Sequence, residues 1–277
     1  MIHLVSRLPA GARVLDLGAA AGSFPDLRPD VLVVRLDLDF DSAGASGCLV
    51  RADAARLPFA DATFDLLVSN HSLEHFVDIA AVLREMGRVA KPGAGLYVAV
   101  PDAGTLTDRI YRWMARGGGH VNRFRTPAEV IDPIERLTGL AHRSTRDLYA
   151  SLTFLNAQNA RGWARRKIYL FANGDERFLA VLIWTLRGID RALGSGLSRY
   201  GWEFHFGAAE PVEASQPWPN VCVRCGAGHS ADYLREAATG WRKFGPIESY
   251  RCPACGGFNL FSAQRELTPS GAPSTLR

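Results

Sequence analysis

The sequence predicts an α/β protein: a mostly parallel, Rossmann-like sheet, a helical insertion, and a small cysteine-rich module towards the C-terminal end. Three observations predict it. Five short apolar runs rich in strand formers alternate with helical or turn segments over residues 13–102. A helical pattern over 178–193 interrupts that alternation before one last strand-like run. Two Cys-x-x-Cys-Gly pairs then follow, with 26 residues between Cys225 and Cys252.

The strand runs are RVLDL (13–17), VLVVRLDLD (31–39), CLVRAD (48–53), FDLLVSN (64–70) and LYVAVPD (96–102). Continuous apolar strands of this kind suit a parallel sheet covered on both faces. The first crossover, from Gly18 to Asp30, contains Pro25 and Pro29 and has room for one or two helical turns at most. Ile79, Val82, Leu83, Met86, Val89 and Ala90 recur at helical spacing behind Asp78, a suitable N-cap, and the Lys91-Pro92-Gly93 turn is expected to stop that helix.

The 277 residues allow one large domain, or a domain of about 200 residues plus a small module. With 47% hydrophobic and 22% charged residues the composition is globular, which excludes wholesale disorder. No apolar run approaches the roughly 20 residues that cross a bilayer, and MIHLVSRLPAGARVLDLG lacks signal-peptide architecture. The sequence therefore predicts no transmembrane segment and a cytoplasmic location. Residues 1–103 carry 9 Lys+Arg against 13 Asp+Glu, whereas residues 104–206 carry 16 against 9. That basic middle suits an anionic partner, or reflects a chain in which Arg is the default cation, since only Lys91, Lys167 and Lys243 are lysines.

Ligands of open α/β sheets bind outside the carboxyl ends of the strands. The residues collected there are Asp16 and Gly18, Asp37 and Asp39, Asp53, and Asn70 with His71. A dinucleotide site uses G-x-G-x-x-G and keeps carboxylates away from the pyrophosphate. Here the loop reads Asp16-Leu17-Gly18-Ala19-Ala20-Ala21-Gly22, with neither feature. Asp37 is placed to accept from a ribose diol, and Asp16 suits a cationic group. An adenosine with a cationic 5′ end meets both demands, which points to S-adenosylmethionine (SAM).

VLDLGAAAGSF, the acid-ended VVRLDLD, RADAARLPFADATFDLLVSNHSLEHF and REMGRVAKPGAGLYVAVPD together resemble the class I SAM-dependent methyltransferases, in particular the small-molecule type 11 group. The resemblance is close over residues 12–102 and looser over 120–140, which looks like that family's later helix and sixth strand. It implies that Asp16, Gly18 and Gly22 hold the methionine end of SAM, Asp37 the ribose hydroxyls, and Asp53 with Ala54 the adenine edge. Asn70 and His71 would line the floor beside the methyl group. Ala20 stands where the family usually has a second glycine. The N-terminal helices that often cover the acceptor are not expected before residue 13, so the cover must come from elsewhere.

Residues 148–199 read as a helical insertion between the last two strands, a candidate acceptor cap. Within it Phe178, Leu182, Leu186, Ile189 and Leu193 share one helical face, either as the cap's own core or as a surface for a partly hydrophobic acceptor. Residues 200–207, YGWEFHFG, alternate as a strand. A hydroxyl acceptor needs a base near neutral pKa, which favours histidine. His71 and His75, with Glu74 between them, are the candidate catalytic residues, and His120 beside the glycine run 117–119 is a third.

Domain 1–207 is thus followed by a Pro/Ala-rich linker (208–219), a module (220–262) and a disordered tail (263–277). Cys222, Cys225, Cys252 and Cys255 offer four thiolates from two tight turns, a closed structural Zn2+ site, and the module resembles a zinc ribbon. Cys48 stands alone. Trp241, Phe244, Tyr250 and Phe258 could stack bases or form the module's own core. The reading is a SAM-dependent methyltransferase of a small-molecule, glycan or lipid-linked acceptor. The alternatives are an RNA methyltransferase anchored by the ribbon, and a non-catalytic SAM-binding scaffold. The oligomeric state is not legible.

Overall fold

A computed structural model of the chain describes residues 2–20, 22–24, 26, 28–39, 47–114, 120–157, 159, 165–209 and 220–262. The tail 263–277, most of the linker and the glycine run 117–119 lie outside these. Contacts divide the chain into two compact units. One comprises 1–112, 117–147 and 200–214; the other 113–116, 148–199 and 215–277.

The first unit is built on a seven-stranded sheet in the order β3-β2-β1-β4-β5-β7-β6. Its strands are β1 (Arg13–Leu17), β2 (Leu32–Asp37), β3 (Cys48–Arg51), β4 (Phe64–Asn70), β5 (Ala90–Pro101), β6 (His142–Tyr149) and β7 (Arg199–Gly207). The pairs β1–β2, β2–β3, β1–β4 and β4–β5 are parallel, and β7 runs antiparallel to β5. All five expected strands are present, and the order reverses at β1, next to β4. That reversal opens a crevice at the carboxyl ends of those two strands.

Helices α1 (Ile2–Ser6), α2 (Ile79–Val89), α3 (Leu106–Met114) and α4 (Ala128–Thr138) accompany the sheet. Asp78 caps α2 by accepting from Ala81 N at 2.9 Å, as its sequence position suggests. Val82, Leu83, Met86 and Val89 are buried in the core with Leu15, Leu67 and Val98. Two details differ from the sequence reading, and a third stays within its limit. The stop of α2 is not a separate turn: β5 begins at Ala90, and 91–94 form an irregularity where Phe64 pairs Ala90 but Leu66 pairs Gly95. Lys91 pins it by an ion pair to Asp65 at 2.8 Å. The sixth strand starts at His142, beyond the 120–140 segment, because Gly139 ends α4 in a left-handed conformation. No helix occurs among the described residues of the first crossover.

The second unit holds α5 (Arg165–Ile168), α6 (Glu176–Leu193), α7 (Ala231–Ala237) and short strands β8 (Asn220–Val221), β9 (Gly228–His229), β10 (Thr239–Phe244), β11 (Ile247–Arg251) and β12 (Phe258–Leu260). The helical segment and the cysteine module thus fall in one compact unit. Glu176 pairs with Arg224 at 2.9 Å, Asn156 donates to Arg224 O at 3.0 Å, and Arg191 donates to Ser262 at 3.0 Å. The buried side of α6 is Leu179, Ile183, Arg187 and Asp190, displaced from the expected stripe; Phe178 and Leu193 are exposed. The reason is polar. Asp190 accepts from Ser195 Oγ, Leu197 N and Ser198 N at 2.6–2.7 Å, so an acid lies on the inner face. No helix among the described residues is long and apolar enough to cross a membrane.

Candidate active site and cysteine centre

Asp16 ends fully buried beneath the glycine loop, where its two oxygens accept from Ser23 Oγ at 2.6 Å and Ser23 N at 2.9 Å. Burial pushes its pKa up; the Ser23 bonds and the charge of Arg35, 4.0 Å away, act in the opposite direction. Asp16 thus shapes the loop from below. Arg35, a buried cation on β2 that the sequence reading passed over, continues the network to Asp26 at 2.7 Å and Phe24 O at 2.8 Å. The alternation of the strand gave no signal for it.

Gly18 and Gly22 both take positive φ, +63° and +105°. A Cβ on Gly18 would lie 2.4 Å from Ser72 Cβ, and one on Gly22 2.8 Å from Arg35 Nε. Ser72 is itself fixed by bonds to Leu17 O at 2.8 Å and Ser69 Oγ at 2.7 Å. Ala20 also adopts a left-handed conformation, φ +44°, so the loop keeps a glycine-like turn without the glycine. Its N–H donates to Asp37 Oδ2 at 2.8 Å, which aligns the loop with the end of β2. Asp37 is half-buried, and each carboxylate oxygen keeps lone pairs for further donors. Asp53 is exposed and caps its own turn through Ala55 N at 2.9 Å, while Ala54 is buried against the core.

Beyond β4, Asn70 is half-buried and His71 takes φ +54°. A single 3-10 turn, Leu73–His75, follows. The segment after the glycine run docks on that turn: Val121 N and Asn122 N both donate to Glu74 O at 2.8 and 3.0 Å, and Asn122 Nδ2 donates to Leu73 O and Phe76 O. This brings His120 beside His75, ring centroids 5.0 Å apart, and stacks it on Tyr111 at 4.7 Å. His120 Nδ1 lies 3.0 Å from Asp108, which α3 holds through Arg112 at 2.6 Å. His75 and His120 therefore meet, and His71 lies 4.0 Å from Glu74 on the same turn. The sequence reading missed Asp108, whose only signal was its spacing four residues before Arg112 on a helix.

The electrostatics are unusual. Burial pushes Glu74, 1% exposed, up to about 8, its own backbone N–H opposing and Asp108 adding to the shift. Close packing around His71, with the charges of His120 and His75, pushes its imidazole down to about 4, although 32% of the side chain is exposed. At neutral pH His71 is an uncharged imidazole. Burial alone would raise Asp108, but its bonds to His120 and Arg112 outweigh burial and hold it below the ordinary carboxylate value.

In the second unit the two cysteine turns are near copies. Gly226 N donates to Cys222 O at 2.9 Å and Gly256 N to Cys252 O at 2.8 Å, with φ of +75° and +71° at the glycines. The four sulfurs lie within 4.8 Å of one another. Two separations are 3.6 Å (Cys222–Cys255) and 3.9 Å (Cys225–Cys252). A tetrahedron with Zn–S bonds of about 2.3 Å requires about 3.8 Å. Cys222 Sγ also accepts from Asn259 Nδ2 at 3.3 Å and Arg224 N at 3.4 Å, donors that suit a thiolate. The rings proposed for base stacking divide: Tyr250 is core with Leu234, Ala238 and Phe261, Trp241 packs on them, and Phe244 is 78% exposed.

A parallel sheet that reverses beside a glycine loop, with an acid ending the second strand, defines the Rossmann-like class I methyltransferase fold. Residues 15–98 match the family model described as a methyltransferase domain. The demethylmenaquinone methyltransferase of Mycobacterium marinum (strain ATCC BAA-535 / M) is 38% identical over 98 residues, 33% of this chain and 42% of the relative. The malonyl-[acyl-carrier protein] O-methyltransferase of Methylococcus capsulatus (strain ATCC 33009 / NCIMB 11132 / Bath) is 35% identical over 136 residues, 44% and 50% of the two chains. The chain thus spans about half or less of these curated relatives. A solved structure provisionally assigned to a sarcosine dimethylglycine methyltransferase from Galdieria sulphuraria shares the fold, with a TM-score of 0.50 and 18% identity over 75% of this chain and 82% of that one.

Proposed function

We infer that the chain is a SAM-dependent methyltransferase of a small-molecule acceptor, free or linked to a glycan or lipid. The observation that carries the reading is the convergence of Gly18, Gly22, Asp37, Asp53 and Ala54 on the carboxyl ends of β1, β2 and β3, inside the matched domain. The site fits SAM. Gly18 leaves no room for a side chain where the loop approaches Ser72, and half-buried Asp37 has acceptor capacity for ribose hydroxyls. Asp53 and Ala54 would border the adenine, Asn70 and His71 the methyl-bearing end.

When bound, SAM supplies an electrophilic methyl group on a sulfonium. The chain's own task is then positioning and proton management. His71, uncharged at neutral pH, adds no positive charge beside a cationic ligand. His120, with Asp108 3.0 Å from Nδ1, would accept the proton of a hydroxyl acceptor on Nε2. His75 stands beside it at the exposed edge. The names of two relatives, which specify a menaquinone precursor and a carrier-linked malonyl group, support a small-molecule acceptor over RNA. The ribbon-like centre fits structural zinc held by Cys222, Cys225, Cys252 and Cys255, a closed set with no position left for water.

Calorimetric titration with S-adenosylhomocysteine tests the reading. One saturable site per chain is expected, and no binding would refute it. Binding without methyl transfer to any tested acceptor class would favour the SAM-binding scaffold.

A further inference from the structure

We propose that Glu74, His75 and His120 form a second metal site, for a first-row divalent cation of the zinc type, on the acceptor side of the sheet. Its role in catalysis rests on the methyltransferase reading; the binding itself does not. Three ligand atoms, one from each residue, lie within 4.8 Å of one another. Two imidazoles and one carboxylate are the donor set that suits such cations, and three protein ligands leave coordination positions open.

Two further observations point to an absent ligand. Glu74 is 1% exposed, and its Oε2 has no hydrogen-bond partner among the described residues. A buried carboxylate oxygen left without a donor is costly. His120 has a carboxylate beside one ring nitrogen, as metal-binding histidines usually have: Asp108 Oδ1 lies 3.0 Å from Nδ1, which leaves Nε2 for a cation. Arg112 locks Asp108 in turn at 2.6 Å.

His75 is the exposed member of the three, and its ring lies 5.0 Å from that of buried His120. An open position on the cation would take the oxygen of a hydroxyl or carboxylate acceptor. Coordination would ease loss of the hydroxyl proton to solvent; with the cation bound, His120 is a ligand and no longer the acceptor of that proton.

The test is a metal count. Full-length protein and its His75→Ala variant are equilibrated with excess Zn2+, desalted and measured by plasma emission, the cysteine centre serving as internal reference. The proposal expects His75→Ala to carry one equivalent less than the wild type. Equal counts would overturn it. Because His75 is exposed, this variant keeps its fold, which circular dichroism checks. Asp108→Asn should weaken the second equivalent about 10- to 100-fold; an unchanged affinity would remove Asp108 from the site. S-adenosylhomocysteine titration of the same samples separates the two readings: absence of SAM-site binding refutes the methyltransferase while the metal count stands.

Discussion

At Gly18 the backbone leaves no space for a methyl group. A Cβ there meets Ser72 at 2.4 Å, and φ of +63° disfavours any L side chain. Gly18→Ala should cost about 2 kcal/mol or more in stability, seen as a lower denaturant midpoint, and should abolish S-adenosylhomocysteine binding. Two residues on, the opposite change should help. Ala20 is exposed and held at φ +44°, so Ala20→Gly should raise stability by about 1 kcal/mol and leave ligand binding intact. Asp37→Asn should weaken S-adenosylhomocysteine about tenfold by calorimetry, since an amide offers a ribose diol one acceptor oxygen in place of two. The loop and its acids were legible because strand ends follow directly from apolar runs. Arg35 and Asp108 were not, since a charge inside a strand or helix is ordinarily solvated, and only the fold shows it turned inward.

Among the elements, β1 to β5 and α2 were legible with their cap, because period and capping chemistry agree there. For α6 they conflict. Its strongest apolar stripe, Phe178 to Leu193, is partly exposed, whereas Arg187 and Asp190 are inside. Hydrophobic periodicity cannot anticipate that, since Asp190 is turned inward by the Ser195–Ser198 loop that follows the helix. The helix start is better defined. Asp175 accepts from Arg177 N at 2.9 Å and Phe178 N at 3.0 Å. Asp175→Ala should cost about 1 kcal/mol, measured by chemical denaturation, without changing S-adenosylhomocysteine affinity.

For the whole molecule, the two cysteine pairs were legible from spacing alone, while their union with residues 148–199 was not. Contacts such as Glu176 with Arg224 join segments separated by a complete strand of the other unit, and no local pattern records them. They make a prediction. Stripping the zinc proposed for the cysteine centre with a strong chelator should raise hydrogen exchange in α6 as well as in 220–262, because α6 rests on β12, and should leave β1 to β5 protected. Exchange confined to 220–262 would mean that α6 stands without its partner.

The discontinuity of that second unit also constrains synthesis. On the ribosome α6 emerges before β7 and well before Cys222, so the inner side of the helix, with Leu179 and Ile183, stays wet until the last cysteine turn is made. A nascent chain stalled or cleaved between the two would display that greasy strip to its neighbours. Truncation near residue 214 should therefore yield aggregates rather than a folded first unit.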